Sequence, residues 1–93
     1  MAKSKGKAMI KRLYSLYDKK ANNCLGLYEQ PNDLVAIRDF SRICANNDEK
    51  NMIATFAEDY ALLCLGEFDA ETGKIESNVR TIAEAKDYVK ADE

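Results

Sequence analysis

Seven basic side chains in the first twenty residues are the clearest candidates for chemistry in this sequence. Only one acid, Asp18, lies among them, so residues 1–20 carry a formal charge of +6. With three nearby tyrosines they make up the predicted binding set: Lys3, Lys5, Lys7, Lys11, Arg12, Tyr14, Tyr17, Lys19, Lys20 and Tyr28. Cations neutralise phosphates, and aromatic rings beside them stack on single-stranded bases at roughly 1–3 kcal/mol per base. The set therefore predicts nucleic-acid binding. The alternative is a basic arm that only solubilises the chain, with the tyrosines in the core or at its rim.

The remaining residues, 21–93, have the opposite charge. They carry seven basic and fifteen acidic side chains, a formal charge of −8. This acidic body argues against a protein that binds DNA over its whole surface, and it favours approach from one side. Glu67, Asp69 and Glu71 could in principle hold a divalent cation, but their spacing is not that of a calcium-binding loop. The favoured interpretation places Asp69 in a turn and Glu71 in solvent.

The sequence lacks the residues that other kinds of functional site require. There is no histidine to activate a serine nucleophile or to complete a zinc site, and the four glycines are too scattered for a phosphate-binding loop. We therefore expect neither an enzyme nor a bound cofactor. Cys24, Cys44 and Cys64 form no CxxC motif and have apolar neighbours, which predicts three buried, reduced thiols.

Length and composition indicate a single small globular domain. The chain has 93 residues, of which 46% are hydrophobic and 32% charged, too apolar for a disordered chain. No apolar run approaches the roughly 18 residues of a membrane span, and the basic start lacks the apolar core of a secretory signal. We predict a flexible basic arm over 1–8 and one domain over 9–93, acting in a cytoplasm without membrane contact.

The first half of the domain predicts two strands and a helix. Residues 9–18 and 24–29 are rich in aliphatic and aromatic side chains, separated by a polar turn. Pro31, Asn32 and Asp33 then begin a helix in which Asn32 or Asp33 caps the first amide groups. An apolar stripe containing Ala36 and Phe40 continues this helix to about Ala45.

The second half predicts a buried strand, a hairpin and a closing helix. Residues 60–68 are apolar on both faces, residues 69–73 form a turn closed by Gly73, and residues 74–77 return as a short edge strand. Thr81 and Glu84 match a capping box, which predicts a helix over 82–90. The expected fold class is α+β, with a small, mostly antiparallel sheet in the order strand-strand-helix-strand-strand-helix. The first and third strands are expected in the centre.

Three blocks of the sequence resemble a known family. They are LYSLYDKKA at 13–21, NDLVAIRDF at 32–40, and the segment from Glu58 to Gly73 that contains EDYALLCLGEFD. In this order they are similar to the small nonstructural protein of gokushovirus-like Microviridae, tailless phages with single-stranded DNA genomes. One departure is Ala57, where family members often have proline.

The resemblance implies a phage protein of the host bacterial cytoplasm, without a cofactor, that binds DNA or acts in genome replication and its handover to packaging. Together with the charge of +6 over residues 1–20, which we call the basic head, the resemblance predicts a single-stranded DNA-binding protein. The alternative is a protein-interaction module that recruits or inhibits host or phage replication proteins through its acidic body. The exposed edge of a small sheet would also allow a homodimer in either case.

Overall fold

The computed structural model describes residues 9–46, 48 and 50–89, and the predicted arm over 1–8 lies outside them. The four strands are β1 (Ile10–Asp18), β2 (Asn23–Gln30), β3 (Tyr60–Asp69) and β4 (Ile75–Glu84). Between β2 and β3 lie helix α1 (Asp33–Ala45), the single-turn helix α2 (Met52–Thr55) and a 3₁₀ turn (Ala57–Asp59); a second 3₁₀ turn (Ala85–Asp87) follows β4.

The strands form one antiparallel sheet in the order β2-β1-β3-β4. The prediction that the first and third strands lie together in the centre is therefore confirmed. The reason is burial, because β3 is the strand with apolar residues on both faces and its first five residues, Tyr60 to Cys64, are all buried. The turn at Asp69 is also as expected, with the Gly73 amide donating to the Asp69 carbonyl at 2.7 Å and φ of +81° at Gly73.

Helix α1 begins and ends where its residue types require. Asn32 is the N-cap, and its side-chain oxygen accepts a hydrogen bond from the Val35 amide at 2.9 Å. Ala36, Phe40 and Cys44 recur at a spacing of four and are buried against the sheet. Their partners are Tyr14 on β1 and Leu62 and Cys64 on β3, so this cluster is the hydrophobic core.

All described helices and 3₁₀ turns that contribute to the core pack on the same side of the sheet. Ile53 of α2, Ala57, and Ala85 with Tyr88 in the segment after β4 join the cluster that contains Tyr14 and Phe40. The domain is therefore a two-layer α+β structure. We call the side that faces α1 the helix side and the opposite side the open face.

The predicted closing helix over 82–90 is wrong, and with it the final element of the predicted order. Strand β4 continues to Glu84, with Ala83 opposite Leu62 and Glu84 opposite Ala61, and only a 3₁₀ turn follows. The apparent capping box, Thr81 and Glu84, therefore lies inside a strand. Pairing with the apolar strand β3 outweighs the local helix signal. Hydrogen bonds to the β3 backbone satisfy the amide groups that a helix cap would otherwise satisfy. The return strand has ten residues, where four were expected.

The prediction of three buried cysteines is right for two of them. Cys44 and Cys64 are buried, whereas Cys24 is exposed because β2 is an edge strand. Burial raises the pKa of the Cys44 thiol to about 11. Among the described residues no helix combines the length and apolar character that crossing a membrane requires.

Candidate nucleic-acid interface

The three tyrosines of the predicted binding set do not share a surface. Tyr14 is 1% exposed and belongs to the core, so its ring cannot stack on a base, and its assignment as a contact residue is wrong. Tyr28 lies opposite Tyr14 in the register and therefore on the helix side, where it is 45% exposed. Tyr17 is three residues from Tyr14 along β1, and side chains an odd number of residues apart on a strand point to opposite faces. Tyr17 therefore lies on the open face. Its hydroxyl donates to Asn22 at 3.3 Å.

The cations on β1 are bound to carboxylates. Lys11 Nζ lies 2.8 Å from Glu29 Oε2, and Arg12 Nη1 lies 3.2 Å from Asp33 Oδ1. Neighbouring residues of a strand point to opposite faces, so Lys11 and Arg12 are on different sides of the sheet. A nucleic acid on either side would meet one of these two cations, and that cation is already paired.

Lys19 and Lys20 lie at the opposite end of β1, about 23 Å from Arg12 at 3.3 Å per residue. Lys19 Nζ contacts Glu84 Oε1 at 2.8 Å, and this hydrogen bond raises the pKa of the lysine. Lys20 is an exposed turn residue whose amide donates to Asp18 at 3.0 Å. Lys3, Lys5 and Lys7 lie outside the described residues. The described part of the predicted set is therefore divided between two faces and two ends of the sheet.

The best-built polar cluster centres instead on Asp33, the first residue of α1. The Tyr14 hydroxyl donates to Asp33 Oδ1 at 2.6 Å, and Arg80 Nη2 on β4 lies 3.6 Å from Oδ2. Together with Arg12, these contacts connect the start of the helix to β1 and β4. Glu67 lies 3.9 Å from the Arg12 guanidinium, and a polar pocket bounded by Arg12, Glu67, Glu76 and Arg80 opens beside the cluster.

The pKa values in this cluster follow from its contacts. The hydrogen bond from Tyr14, assisted by Arg12 and Arg80, lowers the pKa of the Asp33 carboxyl below its ordinary value, and partial burial opposes the shift. Burial is also the main reason that the pKa of the Tyr14 hydroxyl is raised, followed by its hydrogen bond to Asp33. Asp33 is therefore held ionised and Tyr14 neutral, which is the arrangement that keeps the hydroxyl a donor.

We expect Asp33→Asn to destabilise the protein by about 1–2 kcal/mol at pH 7, because an amide replaces a charged hydrogen-bond acceptor that is only partly exposed. The folded-state pKa is depressed, so this contribution is present above roughly pH 4 and is lost as pH falls through the folded pKa. Urea unfolding at pH 7, 4 and 2.5 measures it. The matched control is Glu71→Gln at the exposed hairpin tip. Equal acid sensitivity in the Asp33→Asn variant and the unsubstituted chain would contradict the role given to Asp33.

An apolar groove of about 250 Å³ runs between α1 and the edge strand β2. Its walls are Tyr14, Leu16, Tyr28, Ala36, Phe40, Ile43 and Leu62, and the Gln30 amide donates to Asp39 across it at 3.0 Å. The groove provides apolar contacts and a single polar pair, and its lining residues offer no cation for a phosphate.

Little in the sequence pointed to the Asp33 cluster. Asp33 is a normal residue type for the first turn of a helix, and Arg80 lies in a segment that the sequence did not predict as a strand. The one available signal was Arg12, a charged residue inside a half-buried strand, which needs a carboxylate partner. The sequence alone could not say which acid supplies it.

Fold and charge together define a small two-layer α+β protein with a basic head and an acidic body. The chain belongs to the Phage ORF5 protein family, whose model matches residues 11–88. It is similar to Protein ORF5 of Chlamydia phage 1, with 30% identity over 80 residues that cover 81% of this chain and 83% of that protein. The resemblance to a small protein of gokushovirus-like phages is thereby confirmed. The family match runs from the second residue of β1 through the 3₁₀ turn after β4. No solved structure matches the chain.

Proposed function

We propose that this phage protein binds single-stranded DNA, and that the cations of its head provide the affinity. The observation that supports the proposal is the separation of charge, +6 over residues 1–20 and −8 over the rest. A chain with this distribution attracts phosphates at one end and repels them elsewhere. Binding during genome replication or its handover to packaging, in the host cytoplasm, is the role that the family resemblance suggests.

The structure changes the expected mode of binding. With Tyr14 in the core and Tyr17 and Tyr28 on opposite faces, an aromatic platform of three rings is not available. Lys11, Arg12 and Lys19 have carboxylate partners, so each would have to exchange its partner for a phosphate. The head also contains Lys20 and, outside the described residues, Lys3, Lys5 and Lys7. Binding through them is electrostatic, tolerant of base sequence and strongly dependent on salt.

Replacing Lys3, Lys5 and Lys7 together by alanine should weaken binding of a single-stranded oligonucleotide by on the order of tenfold at low salt. Each phosphate contact on a single strand contributes about 0.7 to the salt slope, so the slope should fall by about 2. Fluorescence anisotropy with a labelled oligonucleotide at several salt concentrations measures both quantities.

The matched control for this test replaces three exposed lysines of the body, Lys50, Lys74 and Lys86, by alanine. It removes the same charge and should change the slope little. An equal loss in both triple variants would show that only net charge matters. That result, or the absence of binding at low salt, would overturn the proposal.

A second candidate function is a module that recruits or inhibits replication proteins. The apolar groove beside β2 favours it, since a groove without cations fits an apolar side chain of a partner better than a nucleic acid. Nuclease treatment distinguishes the two functions. A partner held through DNA is released by nuclease, whereas a partner bound to the groove remains and is lost in an Ile43→Glu variant.

A further inference from the structure

The open face of the sheet carries several exposed apolar side chains, and no described element covers it. Strand alternation and register place on this face Leu13 and Tyr17 of β1, Leu27 of β2, Leu63 and Phe68 of β3, and Ile75 and Val79 of β4. Leu27 is 65% exposed, and Ile75 and Val79 are each 60% exposed. The same register also places Lys11, Glu29, Ser77 and Thr81 on this face, and its most exposed apolar side chains lie on the two edge strands.

The open face also differs in charge from the rest of the surface. Its charged residues include Lys11 and Glu29, which neutralise each other at 2.8 Å. The body as a whole carries a charge of −8, so two copies repel each other over most of their surface. Glu84 on the same face is also paired, with Lys19 at 2.8 Å, so the open face offers a second copy little net charge.

The edges of the sheet are less suited to self-association than this face. The pairing of β2 with β1 is irregular between Tyr14 and Leu16. Gly26, in this part of β2, has φ of +83°. Strand β4 has two irregularities in its pairing with β3. Bulges of this kind are a common device that prevents edge-to-edge pairing.

The size of the open face lies at the lower end of the range for protein interfaces. Four strands spaced about 4.8 Å apart span about 19 Å, and eight residues along each strand span about 26 Å. The face therefore projects about 500 Å², and the relief of its side chains adds to the accessible area. A complex of standard size buries roughly 800 Å² per partner, and about 500 Å² per partner is the smallest area expected of a biological interface.

We propose that two copies of this chain pack their open faces against each other and form a symmetric two-sheet dimer. The contact is the aligned packing of two sheets about 10 Å apart, and it uses the same residues on both copies. Leu27 and Val79, on the two edge strands, would be covered, as would Leu13 between them, whereas Leu63 is already buried in the single chain. The dimer carries two basic heads, but its formation does not depend on DNA binding.

Light scattering coupled to size exclusion, over a range of concentrations and without nucleic acid, tests this dimer. The expected mass is twice that of the 10.5 kDa chain. Leu27→Glu and Val79→Glu should each raise the dissociation constant by about 100-fold or more and give monomers. Both side chains are largely exposed in the single chain, so circular dichroism should show an unchanged fold. The matched control is Leu34→Glu, which introduces the same charge at an 80% exposed position on α1 and should leave the dimer intact.

Three results would overturn the proposal. One is a chain that stays monomeric at high concentration. Another is a dimer that survives both open-face substitutions, since the copies would then meet elsewhere, such as at the β2 edge. The third is a monomer that takes up a different protein on the open face and loses it in the Val79→Glu variant.

Discussion

Replacing Gly66 by alanine should destabilise the protein by about 3 kcal/mol or more. Gly66 lies in β3 with φ of +143°, a conformation that residues with a side chain rarely adopt. A Cβ at this position would overlap the carbonyl oxygen of Glu76 on β4 and lie 3.0 Å from the Asn78 amide nitrogen. These atoms belong to the backbone, so relief requires β3 and β4 to separate where Gly66 pairs with Ser77.

The comparison for Gly66 is Gly73 in the β3–β4 turn. Gly73 also has a positive φ, +81°, but a Cβ there meets no atom within 4 Å. Gly73→Ala should therefore cost only the backbone strain, about 1–2 kcal/mol. Urea unfolding followed by circular dichroism measures both variants. If the two substitutions had similar effects, close approach of β3 and β4 would not be the reason for glycine at 66.

Phe40→Ala should cost about 3–5 kcal/mol, the usual range for removing a buried aromatic ring. Phe40 is 2% exposed and joins α1 to the sheet. Its ring meets that of Tyr88 edge to face, with centroids 6.1 Å apart and planes at 77°, a geometry that adds to the loss. Such a loss is a large share of the stability of a domain of this size.

Phe56→Ala is the matched control for Phe40. It removes the same ring from a position that is 48% exposed and should cost much less, about 1 kcal/mol. The same urea titrations compare the two variants. A larger effect at Phe56 would mean that the segment between α1 and β3 contributes more to the fold than the core helix does.

Helix α1 shows how far local rules reach in this sequence. Asn32 in front of Asp33 and an apolar stripe that includes Phe40 specify where the helix begins and which face is buried, and both are observed. The central strand β3 was equally clear, because apolar residues on both faces suit only an interior position. In each case the signal resides within one element, so neighbours in sequence are sufficient to predict it.

Residues 82–90 show where such rules stop. Thr81 and Glu84 have the spacing of a helix cap, but the segment lies beside an unpaired edge of β3 and becomes its partner. Cys24 was misjudged for a related reason, since exposure depends on whether a strand lies at the edge of the sheet. The choice in both cases is made by residues of other strands, distant along the chain.

The sequence predicted which types of residue the candidate site contains, but it did not predict how they are arranged. The basic head, the acidic body and the membership in a phage family follow from the chain itself, because charge and sequence similarity do not require a fold. Only the tertiary structure decides that Tyr14 is a core residue bonded to Asp33, and that Tyr17 and Tyr28 point to opposite sides. Folding also pairs Lys11, Arg12 and Lys19 with acids distant in sequence, and it leaves exposed apolar side chains of several strands on one face of the sheet. Side chains alternate between the two faces of a strand. Which other side chains share a face with them depends on the neighbouring strands, and strand pairing involves residues from the whole chain.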